Sequence, residues 1–266
     1  SGSLQALQLI SLGILHYGST ILAEKPSYLK SVHTFQSAGM NLKGIQMDGN
    51  GIIPSEIKRK KSSKGTTLLY TIPTFQNPTG IVMSENRRRE ILSICEEERL
   101  PIIEDDVYRE LWLDREPPMP IKSMDKNGMV LYLGSSSKSL AAGLRLGWLV
   151  GPEPVIDRLG DIKMQTDYGS SSLSQWALAE WISSGLYDEH LIMVRKEIKL
   201  RRDITLDALK NNFSDIASWN EPKGGFYVWI KLSQKISMNK LFTVALNEGL
   251  LINPGNIYDF SKNQSI

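Results

Sequence analysis

Lys138 stands in the stretch Ser135-Ser136-Ser137-Lys138-Ser139-Leu140-Ala141-Ala142-Gly143-Leu144-Arg145, directly after the apolar run Met129-Val130-Leu131-Tyr132-Leu133. A lysine that follows a strand is ordinarily a solvated surface residue. Here Ser135 and Ser137 offer hydroxyl donors and Arg145 a fixed cation, a set suited to holding an anion beside an amine. Carboxylates occur in a second such place. Pro101-Ile102-Ile103-Glu104-Asp105-Asp106-Val107-Tyr108 carries them at the C-terminal end of an apolar run, the edge where open α/β sheets bind ligands. Read singly, a carboxylate there is a cap or turn residue.

An amine with a nearby phosphate site is what pyridoxal phosphate requires, and its ring nitrogen requires a carboxylate that keeps it protonated. Two further stretches could serve the same purpose. Gln76-Asn77-Pro78-Thr79-Gly80 follows another apolar run, though an Asn-Pro turn explains it without any ligand. Ser1-Gly2-Ser3 precedes a helical pattern beginning at Leu4 or Gln5, where free helix amides can cradle a phosphate and where a serine N-cap would look the same.

The elements that must position these residues alternate. Residues 20–23, 67–71, 101–104 and 130–133 are short apolar runs that read as buried strands. Residues 84–98 between them read as a helix with a serine cap and with Ile91, Leu92 and Cys95 on one face, ending before Pro101. Such alternation predicts a mainly parallel sheet flanked by helices. From 187 to 213 the pattern is one long helix with Leu191, Val194, Ile198, Leu206 and Leu209 on one side. Its Arg195, Lys196, Lys199, Arg201 and Arg202 read as a solvated face. Residues 224–230 are expected to begin a strand and 238–248 to form a helix, within a smaller lobe.

Bulk composition narrows the function classes. The 266 residues are 41% apolar and 23% charged with a net charge of +2, which is enough for a substantial core and gives no electrostatic reason to bind DNA or an anionic membrane. A lone cysteine, Cys95, excludes an internal disulfide and gives no metal-ligand spacing. No apolar run reaches the roughly 18 residues a bilayer demands, and the opening lacks a basic signal-peptide start, so a cytoplasmic location is expected.

Taken in order, SGSLQAL, EKPSY, FQNPTG, EDDVY, SSSKSLAAGLR and GGFYVWI resemble the fold-type I aminotransferases of class I/II along nearly the whole chain. Within that group EDDVYRELW, KMQTDYGSSSLSQWALAEW and PKGGFYVWIKL are most similar to the aminotransferase-like domain of MocR-type members of the GntR regulator family. The resemblance implies the α/β fold of pyridoxal phosphate-dependent transferases. Residues 1–195 would form its large domain, and 196–266 a smaller α+β lobe that is incomplete here.

Pyridoxal 5'-phosphate is the implied cofactor. Lys138 would be its attachment and catalytic residue, Asp105 the partner of the ring nitrogen, and Asn77 and Tyr108 the partners of the phenolic oxygen. Ser3, the amide of Leu4, Ser135, Ser137 and Arg145 would bind the phosphate, and Tyr28 of the Pro-x-Tyr motif would stack on the ring unless it is an ordinary half-buried tyrosine. Asp106 is expected to be a neighbour only.

The family pattern also includes a segment before SGSxQAL, a winged-helix DNA-binding domain in the MocR type, and a carboxylate-binding arginine just beyond the final residues 261–266. The sequence is therefore expected to be part of a longer polypeptide. Two readings follow. The chain is an effector-sensing domain of a homodimeric regulator that meets an amine and reaches DNA only through the additional domain, or it is an aminotransferase acting on an amino acid and a 2-oxo acid.

Overall fold

The computed structural model describes residues 1–63 and 65–260. Residues 261–266, expected to lie just short of a carboxylate-binding arginine, are outside the described residues.

Seven strands form one sheet in the order β3-β2-β1-β4-β5-β6-β7. They are β1 (Thr20–Lys25), β2 (Asn41–Asp48), β3 (Gly51–Ile52), β4 (Thr67–Thr71), β5 (Ile102–Asp105), β6 (Val130–Ser135) and β7 (Gly147–Val150). β2, β1, β4, β5 and β6 run parallel, while β3 and β7 are antiparallel to their neighbours. Every residue of β4 and β5 is buried, as expected of parallel strands covered on both faces. All four expected strands are present. β2 was not among them, because its alternation of exposed and buried residues interrupts the apolar run that marks a central strand.

Helices cover both faces. On one side α1 (Ser3–Gly13), α2 (Leu29–Ser37) and α5 (Glu153–Asp167) bury Leu7, Ile10, Phe35 and Leu159 against Ile21, Leu68, Tyr70, Ile103 and Leu133. On the other, α3 (Pro54–Lys60) and α4 (Glu85–Glu97) bury Ile57, Ile91, Leu92 and Cys95 against Leu22, Leu69, Ile102 and Val130. The Ser84 hydroxyl caps α4 by accepting from the Arg87 amide at 3.4 Å.

After α6 (Ser172–Ser183) comes α7 (Leu186–Phe213), 28 residues or about 42 Å long. Its expected apolar face is present, with Leu191 and Leu209 buried and Val194 and Ile198 packed on the first core. The expectation of a solvated basic face fails at two positions. Arg202 is 7% exposed and gives Asp114 a charge-assisted bond of 2.6 Å, and Arg195 stacks 4.0 Å from the Trp112 ring. Both reach back to the segment after β5, a tertiary partner that helical periodicity does not encode.

The chain closes with β8 (Ala217–Trp219), its antiparallel partner β9 (Ile230–Leu232) and α8 (Met238–Asn247). Residues 224–229 are not a strand, contrary to expectation. Gly225 has φ +71°, and the backbone is stitched instead to the segment after β5, where Leu113 N donates to Lys223 O and Gly225 N to Leu111 O, each at 2.9 Å. At Gly224 a Cβ would lie 2.3 Å from the Phe75 ring, so glycine is required for this close approach. Among the described residues no helix is long and apolar enough to cross a membrane.

Candidate functional site

The parallel strands deliver the expected residues to one rim of the sheet. Tyr28 follows β1, Asn77 follows β4, Asp105 ends β5 with Tyr108 three residues on, and Ser135 ends β6 just before Ser137 and Lys138. Because β7 runs the other way, its start also lies at this rim, and Arg145 precedes it. The N-terminus of α1 completes the set, since a Cβ on Gly147 of β7 would come within 3.1 Å of the Ser3 amide nitrogen.

Asp105 is 4% exposed, on the α1/α2 side of the sheet. Its Oδ2 accepts a 2.7 Å bond from the Tyr70 hydroxyl, which lies 2.8 Å from Ser31 Oγ. Its Oδ1 is buried without a hydrogen-bond partner. Burial pushes the carboxyl up to about 6, helped by the Asp106 charge and opposed by the Tyr70 bond, the Val107 backbone amide and the nearby charge of Lys138. Lys138 Nζ lies 5.9 Å from the centroid of the Tyr108 ring.

The Tyr108 hydroxyl meets Asn77 Nδ2 at 3.1 Å and the Tyr227 hydroxyl at 3.2 Å, while Asn77 Nδ2 also donates to Tyr227 at 3.0 Å. Desolvation is the main reason the Tyr108 phenol is held far above its ordinary range. Asn77 Oδ1, like Asp105 Oδ1, is buried without a partner. Tyr28, half-buried, precedes α2, where desolvation and the nearby Tyr227, Asp105 and Tyr258 raise its phenol.

A cluster of donors forms where α1 begins against the start of β7, next in the sheet to the end of β6 that leads to Lys138. Gly2, at φ +85°, caps α1 without a side-chain bond, and the helix begins at Ser3, one residue before the expected start and without a serine cap. The first-turn amides of Ser3 and Leu4 therefore lie at the positive end of an 11-residue helix. The Arg145 guanidinium lies over Gly2, where a Cβ would be 2.8 Å from Nη2, and it donates to the carbonyls of Ser1 and Ala142. Ser135 Oγ donates to Leu146 O at 2.7 Å and accepts from the Ser137 amide at 3.1 Å, which fixes the turn that presents Ser137 and Lys138.

These residues fit pyridoxal phosphate. The group needs an unpaired acceptor for its ring nitrogen, polar partners for its phenolic oxygen, an anion cradle and an amine. Asp105 Oδ1, the Asn77–Tyr108 pair, the α1 terminus with Arg145, and Lys138 match those needs in turn. Asp106 Oδ1 is also buried without a hydrogen-bond partner, and Asp106 differs in its other oxygen, where Oδ2 pairs with the Arg109 guanidinium at 3.4 Å from Nη1.

Sequence reasoning missed Tyr227, Tyr70 and Ser31. A tyrosine in the apolar strand TLLYT carries the one usable signal, because a buried phenol needs a hydrogen-bond partner. Among the described residues no group of three or more His, Cys, Asp or Glu could hold a metal ion.

Residues 1–265 match the family described as Aminotransferase class I and II. The chain is 58% identical over its whole length to YdfD of Bacillus subtilis, named an uncharacterized HTH-type transcriptional regulator, and covers 55% of that protein. It is 39% identical over 269 residues to the HTH-type transcriptional regulator NorG of Staphylococcus aureus, covering 60% of it. The chain thus spans somewhat more than half the length of these relatives.

Among solved structures, the kynurenine aminotransferase of Pyrococcus horikoshii in complex with PMP matches 97% of the chain at a TM-score of 0.91 and 33% identity, over 65% of its own length. LysN of Thermus thermophilus, an α-aminoadipate aminotransferase complexed with N-(5'-phosphopyridoxyl)-L-leucine, matches 98% at 0.91 and 30% identity, over 67% of its own length. The fold is that of these pyridoxal phosphate proteins, and the chain belongs to the class I and II aminotransferase family.

Proposed function

We propose that the chain is the pyridoxal phosphate-binding, effector-sensing part of an HTH-type transcription regulator of the MocR kind. Residues 1–195 would form the cofactor-binding unit and 196–266 belong to the smaller lobe. The observation that carries the choice of regulator is the 58% identity to YdfD across the whole chain. The site geometry supports the cofactor, above all the unpartnered and buried Asp105 Oδ1.

When bound, pyridoxal phosphate supplies an aldehyde for amines and a ring that takes up electrons released next to nitrogen. The chain's own residues do the rest. Lys138 Nζ would hold the cofactor and, once released from it, would be the base placed to move a proton. Asp105 keeps a proton on the ring nitrogen through Oδ1. Asn77 and Tyr108 orient the ring through its phenolic oxygen while Tyr28 covers one face. The amides of Ser3 and Leu4, with Ser137 and Arg145, neutralise the phosphate, and Ser135 fixes the turn that aims Ser137 and Lys138. An amino acid or other amine is the effector class, because the attachment chemistry of Lys138 is open to exchange with a second amine. A homodimer would present two DNA-binding domains to paired half-sites.

The second reading, a free aminotransferase, is favoured by the 33% identity to the P. horikoshii enzyme. The experiment uses the full-length protein loaded with pyridoxal phosphate, in band shifts on its own promoter and in a transaminase assay over a panel of amino acids and 2-oxo acids. Promoter binding that changes with cofactor and amine is expected. Rapid multiple turnover without DNA binding would replace the regulator by the enzyme.

A further inference from the structure

Tyr70 lies in β4, where Asp105 is reached diagonally across the ladder, since Tyr70 pairs with Ile103 and residues 103 and 105 share a face. Its ring is fully buried, edge-on to Phe35 at 5.4 Å and 69°, and small Ala23 is its neighbour in β1. The phenol therefore has one fixed approach to the carboxylate. On the far side stands Ser31 of α2, itself fully buried.

Hydrogen-bond valence sets the direction of the chain. An ionised carboxylate only accepts, and a phenol has one proton, so Tyr70 commits that proton to Asp105 Oδ2 and Ser31 donates to the phenol oxygen. Two successive bonds then point at the carboxylate, each polarising the next.

We propose that Tyr70 is a positioning residue for the cofactor: backed by Ser31, its hydroxyl holds Asp105 in one orientation as an ionised acceptor and leaves Oδ1 for the ring nitrogen. This inference rests on the pyridoxal phosphate reading above. The need for such a device follows from what surrounds the carboxyl. Burial works against the anion, and so do the neighbouring carboxyls of Glu24 from β1 and Asp106 from the same segment. The Tyr28 and Tyr108 phenols also face it. The Tyr70 bond, the Val107 backbone amide and Lys138 work the other way. A neutral Asp105 would present a donor where an acceptor is required.

The test uses full-length protein, with Tyr70→Phe, Ser31→Ala and Asp105→Asn as variants. In the apo-protein the protonated-carboxyl infrared stretch of Asp105, identified by its loss in Asp105→Asn, is followed against pH. The affinity for pyridoxal phosphate is measured over the same range. Removing the Tyr70 bond should move the Asp105 titration up by about one to two pH units, the worth of a hydrogen bond to a charged group. The fall of cofactor affinity on acidification should move with it. Ser31→Ala should shift both in the same direction by less.

An unchanged titration and affinity profile in a folded Tyr70→Phe protein would overturn the proposal. If that variant does not fold, Ser31→Ala decides, an upward shift supporting the proposal and no shift overturning it. Wild-type protein that never binds pyridoxal phosphate would instead defeat the functional reading, and the infrared titration would still decide the role of Tyr70.

Discussion

Arg88 enters the core from α4 with no exposed surface and spends most of its donors on the loop after β4. Nε donates to Met83 O at 3.0 Å, Nη2 to Pro73 O and Thr74 Oγ1 at 3.0 Å each, and Nη1 to Met119 O at 3.2 Å. Nη1 also lies 3.7 Å from Glu104 Oε1, in a pair that is wholly buried. Residues 73–83, gathered by these bonds, carry Asn77.

Replacing Arg88 by methionine keeps much of the volume and removes the cation. Glu104 would retain the amides of Ile121 and Lys122 at 2.8 Å each but lose the Arg88 cation that lies 3.7 Å from its Oε1. Breaking a buried pair on one side costs about 3–5 kcal/mol, and the orphaned carbonyls fall within that figure rather than adding fully to it. The cost should depend on pH. Desolvation, helped by Asp106, already raises Glu104 to about 7, and losing Arg88 raises it further. Below that value Glu104 is neutral with or without its partner, so the destabilisation should be smallest near pH 6 and grow toward pH 8. Urea denaturation at both pH values, in a cycle with Glu104→Gln, measures this. A loss below about 1 kcal/mol at pH 8, or a double variant no more stable than Arg88→Met there, would refute the reasoning.

Lys138→Ala should abolish the visible absorption and the borohydride-reducible adduct of full-length protein supplied with pyridoxal phosphate, while residual phosphate-site binding persists; colour retained in the variant would unseat Lys138. Asp105→Asn should slow proton abstraction from a bound amine by several kcal/mol of barrier and Asp106→Asn far less, as read from half-transamination rates, and the reverse order would exchange their roles. Gly147→Ala places a Cβ 3.0 Å from Gly134 O and 3.1 Å from the Ser3 amide, backbone atoms that cannot rotate away, so cofactor affinity should fall at least tenfold while helix content holds; unaltered affinity would show that the α1 terminus is not part of the cradle. Glu24 and Glu104 are raised from 4.5 to about 7 and Asp105 to about 6, chiefly by burial. Each binds its proton more tightly folded than unfolded, so the stability they lend is complete below about pH 4 and is lost as pH rises through 6 to 7; urea midpoints of the apo-protein should be higher at pH 5.5 than at pH 7.5, and the opposite order would refute the assignment.

The parts of the site that the sequence made legible are those where chemistry breaks an apolar run. Asn77, Asp105, Ser135 and Lys138 each follow or end a strand that carries a buried apolar run, and a parallel sheet brings all such ends to one rim. What stayed hidden is held by contacts between distant segments. Ser31 sits in α2 and Tyr70 in β4, 39 residues apart, and nothing local marks them as partners. Tyr227 lies 150 residues from Asn77, in a stretch whose aromatic alternation reads as a strand. Its true conformation depends on two glycines packed on Phe75, and that contact exists only once the loop after β4 has folded. The basic stripe of α7 misled for the same reason, since Asp114 and Trp112 lie in a segment about 85 residues earlier.

The reversed direction of β7 means that all the chemically committed segments leave the sheet by a single rim. The opposite rim carries the turns at 98–101 and 125–129. Asn127 and Gly128 are exposed there, Gly128 at φ +71° in a turn that closes on Asp125. Surface turns of this kind accept insertions far better than the elements they join. A reporter peptide or fluorescent label placed between Asn127 and Gly128 would stand a full strand length from Lys138, so the protein could be watched as it meets an amine without touching the groups that bind one.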